Sequence, residues 1–338
     1  MVAVHSTDRG PALGGCRLKP YEELKDAVDD VLRLSAAMTA KSAVAGLDCG
    51  GGKSVIVLEP GRTLSARERR DVLLDHAELI ASFGGTYRTG PDVGTGPADM
   101  LVFREVTPYA ACAPEEAGGT GSSSGPTATG VLAALRAAAT NLFGTPSLAG
   151  RHVVVSGYGS VGVHLAASLA EAGAEVTVSD IDSTKREEAQ QRGLAWADPE
   201  KALTLPADVV IPAAVGGVLT REIVPRLATR LIVGPANNQL AEDTVADDLA
   251  AAGILWVPDY VASAGGLVYT FSRDYDGMSH EAALAKVEAI EDTVESILAA
   301  ARANATTPLT EAAALVRSRV TSGAVPRTPW PPEPRTAA

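Results

Sequence analysis

The stretch Arg151 to Gly162, R-H-V-V-V-S-G-Y-G-S-V-G, constrains this chain more than any other. A β-branched run leads into Gly157, Gly159 and Gly162, the spacing G-x-G-x-x-G. The first glycine permits a tight turn, and the second lets bare backbone approach a pyrophosphate. The third allows close packing of a helix on the strand. Ser160 and Val161 fall where that helix starts, and its free N–H groups and positive dipole end suit phosphates. The spacing alone is weak, but here the next strand ends at Asp180, 23 residues after Gly157. An acid there meets the adenosine ribose hydroxyls. The chain is therefore expected to bind a dinucleotide. Asp180 favours NAD over NADP, because a carboxylate repels a 2′-phosphate.

The surrounding rhythm agrees. Helix Thr127–Asn141, strand His152–Ser156, helix Val161–Ala172 and strand Glu175–Ser179 alternate. Apolar runs follow at Val209–Ile211, Leu231–Val233 and Ile254–Val257. Strands alternating with helices predict an α/β, doubly wound parallel sheet. Before it, residues 114–126 (P-E-E-A-G-G-T-G-S-S-S-G-P) read as a domain junction. Two domains are expected: 1–125, and a Rossmann-type domain at 126–304. In the first, Val2–Val4 reads as a strand with nothing upstream to pair with, and Tyr21–Ala40 as an amphipathic helix with Lys41 at or just beyond its end. A loop at Gly46–Lys53 leads into strand Ser54–Leu58. A helix over Ser65–Phe83 carries a capping box of Ser65 and Glu68 and stops at Gly84-Gly85. The end of the chain, from Pro326, is expected to fray.

Composition excludes several classes. With 46% hydrophobic and 21% charged residues among 338, the chain can build a core. A net charge of −12 argues against nucleic acid or an anionic membrane as partner. No apolar run is long enough to span a bilayer, and Met1 to Gly10 does not read as a signal peptide. Cys16, Cys49 and Cys112 are too scattered for a disulfide framework or a metal site. They read as buried, reduced thiols in a cytoplasmic protein.

Other segments carry chemistry. G-L-D-C-G-G-G-K-S (46–54) misses a P-loop by one residue, since Leu47 stands where glycine is required, and it leads into a strand rather than a helix. Lys53 instead reads as a lysine held among glycines, where exclusion of water lowers a lysine pKa. Lys41, 12 residues earlier, can converge on the same site. One lysine then stays charged to hold a carboxylate and the other accepts a proton. The bland alternative is two ordinary surface lysines. Asp92 in T-G-P-D-V-G-T sits in a turn bounded by glycine and proline, where a turn-forming aspartate is the plain alternative. G-P-A-N-N-Q-L (234–240) and P-D-Y-V-A-S-A-G-G-L (258–267) follow strands where a parallel sheet faces its ligand.

Taken in order, G-P-A-L-G-G-C-R (10–17), M-T-A-K-S-A-V-A-G-L-D-C-G-G-G-K-S-V-I (38–56), D-V-G-T (92–95), G-Y-G-S-V-G (157–162), A-N-N-Q-L (236–240) and P-D-Y-V…A-G-G (258–266) resemble the amino-acid dehydrogenases of the glutamate, leucine, phenylalanine and valine family. The resemblance implies NAD-dependent oxidative deamination of an L-amino acid to a 2-oxo acid and ammonia. It implies that Lys41 holds the substrate carboxylate, that Lys53 activates water, and that Asp92 shuttles protons. Asn237 and Asn238 would position substrate and nicotinamide, with Thr127 and Ala213 at the cofactor. Gly14, Gly90 and Leu267 would line the substrate. It further implies that 1–125 binds substrate and assembles a homo-oligomer (dimer or octamer), that helices at about 305–338 return to it, and that an interdomain cleft closes on substrate.

Leu13 stands where glutamate enzymes carry lysine, so an apolar side chain of the valine, leucine or phenylalanine type is expected. Gly90 and Ala111 leave room, and Thr270 adds a hydroxyl where valine is usual. Ser263 replaces the usual asparagine, and Ala40 and Ser42 flank Lys41 in place of Tyr and Asn. The family pattern also begins 25–30 residues earlier, with a strand expected to pair with Val2–Val4. These departures motivate the alternative, a weak or inactive dinucleotide-binding homologue.

Overall fold

A computed structural model describes residues 1–322. The stretch from Pro326 and the end of the helical region expected at 305–338 lie outside the described residues. The chain divides into two compact units. Among the described residues, unit 1 comprises 1–123, 270–278 and 316–322, and unit 2 comprises 124–269 and 279–315.

Unit 1 holds β1 (Val2–Ser6), β2 (Ala12–Leu13), β3 (Cys16–Pro20), α1 (Leu24–Val44), β4 (Gly50–Leu58), α2 (Ala66–Ser82), β5 (Tyr87–Arg88) and α3 (Pro97–Arg104). The sheet order is β1-β4-β2-β5, with β3 also paired to β4. One face packs Ala12, Cys16 and Tyr87 against Leu73, Ile80 and Phe103 of α2 and α3. On the other, Val55 meets Ala27 and Val31 of α1. Ser65 and Glu68 form the expected capping box of α2.

Three expectations are corrected. Val2–Val4 does have a partner within the chain: β1 runs antiparallel to β4, with Val2 opposite Ser54 and Ala3 opposite Lys53. Residues 50–53 are not loop but the first half of β4. Their glycines allow close approach: a Cβ on Gly50 would lie 1.9 Å from the Ser6 carbonyl oxygen, and one on Gly52 would lie 2.7 Å from the Tyr87 ring. Finally, α1 continues to Val44, so Lys41 sits in its last turn. Arg319 extends that end by donating to the carbonyls of Ala43 and Val44, where helix carbonyls lack partners.

Unit 2 holds α4 (Ser124–Phe143), β6 (His152–Ser156), α5 (Gly162–Glu171), β7 (Glu175–Ser179), α6 (Lys185–Gln191), β8 (Ala195–Trp196), α7 (Pro199–Ala202), β9 (Val209–Pro212), β10 (Leu231–Ile232), α8 (Val245–Ala251), β11 (Leu255–Trp256) and α9 (Asp259–Ala262). The chain continues through α10 (Gly265–Thr270), a π-helical turn at Phe271–Tyr275 that belongs to unit 1, α11 (His280–Glu288), α12 (Ile290–Asn304) and α13 (Pro308–Ser322), which passes into unit 1 at Val316. The six strands of unit 2 are parallel, in the order β11-β10-β9-β6-β7-β8. This order reverses at β6, and open parallel sheets bind ligands beyond the strand ends at such a switch point. Helix α4 starts at Ser124, inside the stretch read as a junction. Pro126 fits its first turn, where no amide donor is needed. Among the described residues no helix is long and apolar enough to cross a membrane, and no group of side chains has the makings of a metal site.

Candidate active site

Side chains two apart on a strand share a face. On β4 that row is Gly51, Lys53 and Val55, the face covered by α1. A Cβ on Gly51 would stand 2.1 Å from the Thr39 backbone nitrogen, so only glycine admits the helix so close. Lys41, half-buried, follows Thr39 by two residues. The Lys53 side chain is only 8% exposed, which removes the surface-lysine reading for it. Leu13 is paired with Gly51 across the sheet and therefore shares this face, buried.

Asp92 comes to Lys53 from the turn after β5. Gly94 takes φ of +81°, the Thr95 hydroxyl donates to the Cys16 carbonyl, and Leu18 N donates to the Val93 carbonyl. The turn is thereby sewn to β3. Lys53 Nζ lies 2.9 Å from Asp92 Oδ2. Arg17 Nε donates to the same oxygen at 2.8 Å. Burial pushes the Asp92 carboxyl up, but Lys53 and Arg17 outweigh it and hold the carboxyl below its ordinary 3.8. Depressed in the fold, this group contributes stability that is full above about pH 5 and is lost as pH falls through 3.8 and below.

The neighbouring glycines are constrained differently. A Cβ on Gly14 would sit 1.7 Å from the Gly52 carbonyl oxygen, so Gly14 is required by packing. Gly90 is buried, yet nothing lies within 4 Å of a Cβ built there, which leaves space beside it. Ala111 is buried and its amide donates to the Thr89 carbonyl. The buried Thr270 hydroxyl meets Cys112 Sγ at 3.3 Å. Cys16, Cys49 and Cys112 are buried and free, and burial pushes the first two thiols up to about 11.

In unit 2 the glycine loop fits a dinucleotide. Gly157 takes φ of +123°, and a Cβ there would stand 2.7 Å from the Ala213 carbonyl carbon, so Ala213 is brought against the loop. Gly159 faces open space. A Cβ on Gly162 would strike the Gly157 carbonyl oxygen at 2.0 Å, which binds α5 to the strand. No side chain caps α5 at Val161, so its first-turn amides, beside Ser160, suit phosphate. Asp180 Oδ2 accepts from the Tyr158 amide at 2.9 Å and from Lys185 Nζ at 3.0 Å. Burial raises the Asp180 carboxyl, but the Asp182 amide, Lys185 and the Tyr158 amide together hold it below 3.8.

Asn237 and Asn238 are exposed, with Asn238 in the left-handed region at φ of +53°. Thr127 is half-buried in the first turn of α4, a helix that packs on Gly265. Leu267 is half-buried on α10. The Ser263 hydroxyl is buried without a hydrogen-bond partner.

Three residues escaped the sequence reading. Arg17 closes the first motif and holds Asp92. Buried Gln239 accepts from Trp256 Nε1 and donates to the Gly234 carbonyl, and its amide reaches Asp259, so it ties two of the motif loops together. Lys185 pairs with Asp180. Arg17 and Gln239 stand inside quoted motifs, and Lys185 stands five residues beyond Asp180, which was the available signal.

The family described as Glu/Leu/Phe/Val dehydrogenase, dimerisation domain, matches residues 1–109. The family described as Glutamate/Leucine/Phenylalanine/Valine dehydrogenase matches 118–189 and 182–323. The chain is 42% identical to valine dehydrogenase of Streptomyces virginiae, covering 95% of this chain and 89% of that protein. It is 36% identical to phenylalanine dehydrogenase of Caldalkalibacillus thermarum, over 95% and 87%. The crystal structure of L-tryptophan dehydrogenase from Nostoc punctiforme superposes with a TM-score of 0.80 at 33% identity, over 95% and 91%.

Proposed function

Because this chain belongs to the Glu/Leu/Phe/Val dehydrogenase family, we propose that it is an NAD-dependent L-amino-acid dehydrogenase. It converts an apolar L-amino acid, NAD⁺ and water to the 2-oxo acid, ammonium, NADH and a proton, reversibly. The observation that carries this reading is the buried Lys53–Asp92 pair, 2.9 Å apart.

Bound NAD⁺ supplies the hydride acceptor for the substrate Cα. Gly157, Gly159, Ser160, Val161, Gly162, Ala213 and Asp180 hold the dinucleotide, with Thr127, Asn237 and Asn238 at its nicotinamide end. The Lys41 ammonium binds the substrate carboxylate. Lys53 Nζ takes a proton from the water that adds to the imino carbon. Asp92, hydrogen-bonded to Lys53, carries protons to and from the substrate nitrogen. The chain's own share is orientation and charge placement. Leu13 offers no cation to a side-chain carboxylate, and the space beside Gly90 admits a branched or aromatic group.

The binding-only alternative gains no support, since the lysines and the acid are retained and Lys53 and Asp92 are paired. Unit 1, matched by a dimerisation domain, is the surface through which a homo-oligomer assembles, and the three free thiols suit the cytoplasm. The test is NADH oxidation with ammonium and a panel of 2-oxo acids. Turnover is expected with 3-methyl-2-oxobutanoate, 4-methyl-2-oxopentanoate or phenylpyruvate and not with 2-oxoglutarate. Silence across the apolar members would reject the reading.

A second expectation concerns the coenzyme. Charge-assisted hydrogen bonds contribute roughly 1.5–3 kcal/mol, or about 10–100-fold in affinity. Asp180→Ala should therefore raise the KM for NAD by that factor with little change in kcat. Freed Lys185 should improve the relative use of NADP. An unchanged KM for NAD would show that Asp180 does not meet the ribose.

A further inference from the structure

We propose that Arg17 is a positioning residue for Asp92, one link in a buried chain of alternating charge that aims one carboxylate oxygen at the substrate. This rests on the reading of Asp92 as the proton-carrying acid. Arg17 is 16% exposed, and its guanidinium spans two acids on different elements. Nε donates to Asp92 Oδ2 at 2.8 Å, and a terminal nitrogen donates to Asp30 Oδ2 at 2.8 Å. Asp30, on α1, is fixed in turn by the Tyr21 hydroxyl at 2.7 Å and by Arg33 at 2.9 Å. Charges therefore alternate from the interior outward: Lys53, Asp92, Arg17, Asp30, Arg33.

The geometry at Asp92 is asymmetric. Lys53 and Arg17 both converge on Oδ2. Oδ1 has no hydrogen-bond partner among the described residues, which leaves it for a substrate nitrogen. A planar guanidinium anchored at both ends fixes the carboxylate plane in a way a lysine cannot. The titratable groups around Asp92 are Lys53 on β4, Arg17 and Cys16 on β3, and Tyr87 on β5. Cys16 and Tyr87 are buried and pushed above their usual ranges, so both stay neutral at working pH. Lys53 and Arg17 are therefore the cations that keep Asp92 ionised, and Lys53 is neutral when it takes the proton from water. Arg17 is then the remaining cation.

The test compares Arg17→Gln, Arg17→Lys and Asp30→Asn by pH profile and by the ¹³C NMR titration of the Asp92 carboxyl. Losing a cation raises a carboxylate pKa. In Arg17→Gln the Asp92 midpoint and the acid limb of kcat/KM should both move to higher pH, with kcat/KM at neutral pH falling about 100-fold. Arg17→Lys should restore the midpoint but only part of the rate, because charge returns without the fork. Asp30→Asn should cost about tenfold, and it stands in if Arg17→Gln does not fold. On an Asp92→Asn background, Arg17→Gln should cost no further rate. An unmoved midpoint and acid limb in a folded variant would overturn the proposal. The NMR midpoint is read without turnover. If the wild type deaminates no amino acid, the dehydrogenase reading fails while a moved midpoint still upholds Arg17's hold on Asp92.

Discussion

Lys53→Ala is expected to lower kcat by about 10³-fold or more while leaving NAD affinity within about twofold. The lysine is the one group proposed to take the water proton, and it sits on β4 of unit 1. The glycine loop and Asp180, proposed to hold the dinucleotide, belong to unit 2, so the two proposed roles rest on separate residues. Removing Nζ does more than delete a base. Asp92 loses one of its two cationic partners and keeps only Arg17, so its carboxyl drifts upward and proton transfer to the substrate nitrogen is mistuned as well. Lys53→Arg should not rescue turnover, because a guanidinium holds its proton at any working pH. Stopped-flow turnover with the preferred 2-oxo acid, set beside calorimetric NAD titration, separates the two effects. Turnover within a few-fold of wild type would sink the assigned mechanism. Lost NAD binding together with lost turnover would indicate a collapsed fold rather than a missing base.

Much of unit 2 was legible in the chain. Strands β6 and β7 lie where the β-branched runs placed them, because short apolar runs bounded by glycine have few other solutions. The later strands shrink to two residues at β10 and β11. Val233 and Val257 are buried just past the strand ends and still donate to the carbonyls of Val210 and Ile232, and hydropathy cannot tell strand from flank. Unit 1 was harder. Glycine carries no period-2 signal, so the run 50–52 reads as loop although it pairs on both sides. Close neighbours, not its own propensity, make it a strand. The partner of β1 was missed for the same reason.

The site divides similarly. Residue types and motif order pointed to Lys53 and Asp92, which the fold pairs, and the glycine spacing pointed to the turn before α5. Arg17 was not legible as a two-way link, since its partners lie 13 and 75 residues away. Gln239 was equally hidden. Its neighbours Asn237 and Asn238 drew the functional reading, while the buried amide that shapes their loop looked like a third polar residue. Polar residues that act by holding a loop become visible only when their burial is known.

Gly51→Ala is the stability counterpart to the lysine substitution. The added methyl would stand 2.1 Å from the Thr39 nitrogen, 2.4 Å from its hydroxyl oxygen and 2.6 Å from the Ser35 carbonyl oxygen. Two of these atoms are backbone, so no rotamer change relieves them and α1 must lift from the sheet. Such overpacking costs about 2–3 kcal/mol, which lowers Tm by roughly 5–10 °C. The catalytic consequence follows from the same shift. Lys41 rides on α1 two residues past Thr39, whereas Lys53 rides on the strand beneath it. Moving the helix should raise the KM for the amino acid about tenfold through Lys41 and change kcat less. Gly96→Ala is the control in unit 1: nothing lies within 4 Å of its Cβ position, and the change should cost under about 1 kcal/mol. Equal Tm values for the two variants would mean that the glycines of β4 are not what admits α1. A fall in Tm with an unchanged KM would separate the packing role from the placement of Lys41 and move the substrate carboxylate to another cation.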